Sequence, residues 1–100
     1  MNGVEIIGYA NYKIYPDGRV WSKIGKGKFL KPWINFWGYY CVGLSKNGNQ
    51  KFLRIHRLLM QNFKPDEYEE NLQVDHKNRI RADNRLENLR MVTHKYIKIQ

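Results

Sequence analysis

Apolar and polar side chains change places with a period of two over the first half of the chain and then switch to a longer period. In "YKIYPDGRVWS", residues 12–22, two short runs of strand-forming residues flank Pro16-Asp17-Gly18, a composition that predicts a hairpin. In "YYCVGLSKNGNQKFLRI", residues 39–55, Tyr40, Val42 and Leu44 alternate with less apolar neighbours, and Asn47-Gly48 predicts a tight turn between two strands. The glycines and proline of "GKGKFLKPW" between them suit a connecting loop. After Ile55 the spacing lengthens: Leu58, Leu59 and Phe63 fall near helical intervals, and Pro65 closes the pattern. The acidic "KPDEYEEN" reads as a solvated connector, with Asp66, Glu67, Glu69 and Glu70 as a weaker metal-binding alternative. The pattern is α+β, with antiparallel hairpins first and a short helix after them.

From Val74 to Thr93 the periodicity fails. An apolar residue precedes an Asp-His pair, and the chain then runs for thirteen residues with almost nothing that could build a core. A chain of 100 residues has room for one core, so this polar loop calls for a use.

Charge narrows that use. Lys and Arg number 18 against 9 acidic residues, a net charge of +9, which favours a polyanionic partner such as DNA over a small acidic substrate. Residues 1–55 carry nine basic and two acidic side chains, and 56–100 carry nine and seven, so the front half supplies most of the field. It also holds eleven of the fourteen aromatics, with Lys23, Lys26, Lys28 and Lys31 interleaved among Trp21, Phe29, Trp33, Phe36 and Trp37. The lysines are the stronger candidates for phosphate contact. The rings are expected mainly in the core, with stacking on bases as the alternative. No run approaches the ~20 apolar residues of a membrane span, and no secretory signal opens the chain, so a cytoplasmic protein without membrane contact is expected. The single Cys41 rules out an intramolecular disulfide or a multi-cysteine zinc cluster and is expected to be a small buried hydrophobe.

The Asp-His pair adds chemistry. His76 can take a proton from water and Asp75 can hold a hard divalent cation, the two requirements of phosphodiester hydrolysis near neutral pH. Strand alternation would put these neighbours on opposite faces, so one shared site needs the strand to end or twist there.

These residues resemble the HNH endonucleases of the ββα-metal type, in particular the phage- and intron-encoded homing enzymes. The resemblance rests on Val74-Asp75-His76, Asp83-Asn84-Arg85, Glu87-Asn88-Leu89 and Val92-Thr93, with twelve residues from His76 to Asn88. Upstream, "IGYANYKIYPDGRVWSK", "FLKPWINFWGYYCVGL" and "IHRLLMQNF" look like the small recognition module and His-Arg-Leu helix that precede such nucleases. The resemblance implies a basic β module over residues 1–55 and a helix plus ββα-metal motif over 56–100, folded as one unit.

It also implies that His76 is the general base, Asp75 a ligand to Mg²⁺ or Mn²⁺, and Asn88 the residue that ties the loop down and orients His76. Arg57, Arg79, Arg81 and Arg85 become candidates for DNA phosphates, with Arg85 equally able to pair with Asp83 or Glu87. His56 is expected to orient its helix against the sheet. One departure stands out: the third signature residue, a His or Asn nine positions beyond Asn88, is Ile97, which cannot bind a metal. His94, one helical turn earlier, is either a substitute ligand or a surface residue. Two readings follow, a small nuclease and a DNA-binding or nuclease-partner protein that keeps the scaffold without turnover. Both imply DNA as partner in a bacterial, phage-like setting, and a homodimer or protein partner stays open.

Overall fold

In the computed structural model, which describes residues 2–93, strands fill the first half and a helix links them to a final two-stranded ribbon. Strands β1 (Val4–Ile6), β2 (Tyr9–Ile14), β3 (Val20–Ser22) and β4 (Lys28–Phe29) form an antiparallel sheet in chain order. A second sheet joins β5 (Trp33–Ile34), β6 (Tyr40–Lys46) and β7 (Asn49–Arg54). Helix α1 (Ile55–Phe63) follows without a break, and β8 (Gln73–His76) pairs with β9 (Leu89–Val92). A single 3₁₀ turn, Leu86–Asn88, leads into β9. No helix among the described residues is long and apolar enough to cross a membrane.

Both expected hairpins form, each for a reason visible in its turn. Between β6 and β7, Asn47 (φ 52°) and Gly48 (φ 79°) both adopt left-handed backbone, the geometry whose twist matches paired strands. Between β2 and β3, Gly18 has φ 92°, and a Cβ there would come within 3.2 Å of the Ile55 side chain, so the turn packs directly on the helix start. Two predictions fell short. "GKGKFLKPW" is not all loop, because β4 and β5 lie in it, and β1 was not foreseen. All three strands have only two or three residues and offer no alternation to read.

Helix α1 contributes Ile55, Leu58 and Leu59, spaced three and four apart, to one buried stripe. Around it gather Ile6, Ile14 and Val20 from the first sheet, Val42 and Leu44 from the second, and Val74 and Leu89 from the ribbon. A single core therefore runs through the front hairpins and the ribbon alike. Two polar ties bind these layers: Ser45 N–H donates to the Tyr12 hydroxyl (2.9 Å) and Ile7 N–H to Asn62 Oδ1 (2.8 Å). Cys41 is buried, as expected.

The aromatic residues depart from expectation. Of the rings interleaved with the lysines, Phe29, Trp33, Phe36 and Trp37 are exposed rather than core, and Phe52 joins them. Aliphatic residues and the Tyr12 ring fill the core, leaving these five rings on outer faces and in a turn.

Candidate active site

The site is built on the β8–β9 ribbon. Strand β8 ends at His76, the terminus that a shared site would need, and the loop returns at Leu89, directly opposite. Alternation puts Val74 and His76 on the core side, and Asp75 on the other face, where its cross-strand partner is Arg90.

The twelve residues of loop, 77–88, would be loose without internal bonding, and here the asparagines supply it. Asn88 is buried (5% exposed) and uses its whole amide: Oδ1 accepts from Asn78 N–H (3.1 Å), and Nδ2 donates to Asn78 Oδ1 (2.9 Å) and Asp83 O (2.8 Å). The Lys77 N–H also donates to Asn88 O (2.7 Å), while Arg79, at φ 63°, turns the chain back with its N–H on His76 O (2.8 Å). The loop is pinned to the foot of β9, as the role expected of Asn88 requires. Asn88 acts on His76 at one remove, because the residue bonded to the imidazole is Asn84.

His76 Nε2 lies 2.7 Å from Asn84 Oδ1, and both residues are buried. An amide oxygen only accepts, so Nε2 carries the proton and the lone pair sits on Nδ1. One face of the ring is covered: His56 stacks on it at 5.2 Å with 14° between planes, and Tyr39 stacks on His56 at 4.8 Å and 14°. His56, in the first turn of α1, therefore does more than orient its helix; it packs against both His76 and Tyr39, whose own rings lie 6.1 Å apart at 26°. Burial, followed by neighbouring His76, Arg54 and Arg57, lowers the His56 pKa to about 3, so this ring is neutral.

Asp75 has a different environment. Its Oδ2 accepts from Arg90 Nε at 2.9 Å, and its side chain is almost covered. Among the described residues no cluster of three or more His, Cys, Asp or Glu side chains gathers, at Asp75 or in the acidic connector. What the ribbon offers is one hard carboxylate. That donor suits Mg²⁺ or Mn²⁺, which tolerate few protein ligands and keep several waters. His94 and Ile97 lie outside the described residues.

The basic candidates divide into four groups, with Arg57 the last. Lys26, Lys28 and Lys31 are exposed, as are Arg79 and Arg81. Arg81 reaches across to the front half, donating from Nη1 to Trp37 O and lying 4.9 Å from the Tyr39 ring centroid. Lys23 is partly engaged, with Nζ donating to Ala10 O (3.2 Å) beside Glu5 (3.6 Å). Arg85 takes the carboxylate alternative, holding both Asp83 oxygens at 2.8 Å with Glu87 at 3.4 Å. The Arg85 guanidinium keeps the Asp83 carboxyl well below the ordinary range.

Arg57, a candidate for DNA phosphate, is engaged within the fold: its guanidinium donates to Leu72 O (3.2 Å), Glu70 O (3.1 Å) and the Tyr68 hydroxyl (3.1 Å) and so staples the acidic connector to α1. Sequence reading also missed Asn84, Arg90 and Tyr39. Arg90 was recoverable from ribbon register; Asn84 and Tyr39 depend on tertiary packing.

A two-stranded ribbon whose first strand ends on Asp-His and which is closed by an asparagine-locked loop resembles the ββ half of an HNH site. Residues 53–97, which include the helix and the ribbon, match the HNH endonuclease family model. The chain is 42% identical over 96 residues to the DNA endonuclease I-HmuI of Bacillus phage SP01, covering 95% of this chain and 54% of that protein. It is 36% identical over 96 residues to the uncharacterized HNH endonuclease L245 of Acanthamoeba polyphaga mimivirus, covering 94% of this chain and 28% of that protein. The solved structure of I-HmuI, an HNH homing endonuclease described in terms of DNA binding and cleavage, matches with a TM-score of 0.88 and 40% identity. That match covers 99% of this chain and 56% of the other, so the chain spans about half the length of I-HmuI.

Proposed function

We propose that this chain hydrolyses DNA phosphodiester bonds with the help of a divalent cation, and that His76 is the general base. The observation carrying this reading is the bond from His76 Nε2 to Asn84 Oδ1. It fixes the tautomer and gives Nδ1 the free lone pair that takes a proton from the attacking water. The water oxygen then attacks phosphorus in line with the departing sugar oxygen. The stack with His56 and Tyr39 restrains the ring's tilt, and Asn88 keeps Asn84 in place through the loop.

HNH nucleases as a family use a divalent metal, and Asp75 would hold it here. Such a cation supplies positive charge to the phosphate oxygens as charge develops on them. Lys26, Lys28, Lys31, Arg79 and Arg81 would meet the DNA backbone and set register more than sequence. I-HmuI, as a DNA-binding and DNA-cleaving relative, supports DNA as the substrate. A bacterial cytoplasm hosting a phage-like element is the proposed setting, and the module boundary near residue 55 is proposed as a division of labour within the shared core.

The second reading, DNA binding without turnover, is favoured by one specific contact. Arg90 already neutralises Asp75, and Ile97 brings no ligand. Supercoiled plasmid with Mg²⁺ or Mn²⁺, tested against EDTA and against Asp75→Asn, separates the two. Cation-dependent relaxation that EDTA and the variant abolish supports the nuclease; intact plasmid with salt-sensitive binding supports the second reading.

A further inference from the structure

The turn between β5 and β6 presents two aromatic rings that the fold does not use. Phe36 is 93% exposed and Trp37 65% exposed, their rings edge to face at 5.6 Å. This turn is held rigidly. Asn35 Oδ1 accepts from both Trp37 N–H and Tyr39 N–H at 3.0 Å, Asn35 N–H donates to Tyr39 O (2.9 Å), and Gly38 closes the turn at φ 86°. It is also tied to the nuclease loop, since Arg81 donates to Trp37 O and covers Tyr39, whose ring lies 6.1 Å from that of His76. Behind the tip, Trp33, Trp37 and Phe52 line a groove with Arg54 at its edge. Leaving this much ring surface in water is costly for a small domain unless something covers it.

We infer that the Phe36–Trp37 tip is a nucleobase-stacking wedge that opens a base step of duplex DNA beside the phosphate presented to His76. This rests on the nuclease reading and extends it by naming a contact for the bases. The partner is chosen by charge and by position. The chain carries +9, Arg54 and Arg81 flank the rings, and the tip is braced against the loop that holds the candidate base. A polyanion with flat apolar faces satisfies both features, and apolar side chains inserted between base pairs are an established way of kinking a duplex.

A wedge binds better where its step is already loosened. The test measures affinity for two short mixed-sequence duplexes, identical except for a central mismatch, with no cation added so that neither is cut. The parent protein is expected to prefer the mismatched duplex by about tenfold, well within the few kcal/mol that unstacking a step requires. F36A/W37A is expected to bind both equally while keeping the parent's melting temperature and salt slope. Equal affinities in the parent, or a preference retained by F36A/W37A, would overturn the wedge. So would a self-associating parent, seen by sedimentation, that the double variant makes monomeric, because the rings would then be a protein interface. His76→Ala should retain the mismatch preference, so a preference without any plasmid cleavage would leave the wedge standing and remove the nuclease reading alone.

Discussion

Replacing Asn88 by alanine should loosen the 77–88 loop without disturbing the core. The substitution removes three hydrogen bonds, one accepted from Asn78 N–H and two donated to Asn78 Oδ1 and Asp83 O. At about 1 kcal/mol net for each, the ceiling is near 3 kcal/mol. Asn78 is exposed, however, and keeps bonds to Asp83 Oδ2 (2.7 Å) and from Ile80 N–H (2.9 Å), so water and these partners recover part of the loss. A cost of about 2 kcal/mol follows, or roughly 10 °C in melting temperature for a domain of this size. The functional effect should be larger. Asp83 and Asn84 shift together once the Asp83 carbonyl is released, and a misplacement of about 1 Å costs on the order of 100-fold in rate. Urea denaturation gives the first quantity and single-turnover plasmid nicking the second, with DNA affinity followed in parallel. A variant that melts within about 2 °C of its parent and cleaves at the parental rate would refute the loop-locking account.

Arg57→Ala should lower stability by about 1–3 kcal/mol, because the connector carbonyls and the Tyr68 hydroxyl lose their donor, while the salt slope of DNA binding stays unchanged. K26A/K28A should do the opposite, keeping the melting temperature and lowering the slope of log affinity against log salt by about two. Acid should destabilise the fold through His56. Its pKa is about 3 when folded against an ordinary 6.5, so the unfolded chain binds the extra proton. That contribution to stability is present above about pH 6.5 and is lost as pH falls toward 3, by up to about 1.4 kcal/mol per pH unit. Urea midpoints across that range should be visibly flatter for His56→Phe.

Much of the fold was legible because it rests on local rules. Asn47-Gly48 and Pro16-Asp17-Gly18 announce their hairpins through backbone preference, and the Ile55, Leu58, Leu59 spacing announces α1. The short β1, β4 and β5 were not legible, since two or three residues carry no periodicity and their pairing is decided by neighbours. At the site, His76, Asp75 and the loop-tying Asn88 could be named from the motif. Asn84 could not be assigned as the imidazole's partner, because that bond depends on how the loop folds over the ribbon end. The bonds of Arg57 were hidden for the same reason: a cation beside a helix start looks like a phosphate ligand until a connector eleven to fifteen residues away supplies its acceptors. The aromatic residues misled in the other direction, since ring content predicts burial, whereas the aliphatic core left Phe36 and Trp37 outside.

In the proposed mechanism the His76 imidazole acts on water and does not contribute to DNA affinity. The most direct test measures nicking rate and dissociation constant for the parent and His76→Ala on the same DNA under the same Mg²⁺ and salt. The expected result is cleavage lost by at least about 100-fold, in keeping with removal of a general base, with affinity unchanged within a factor of about two. Retained cleavage, or affinity falling in step with the rate, would contradict it.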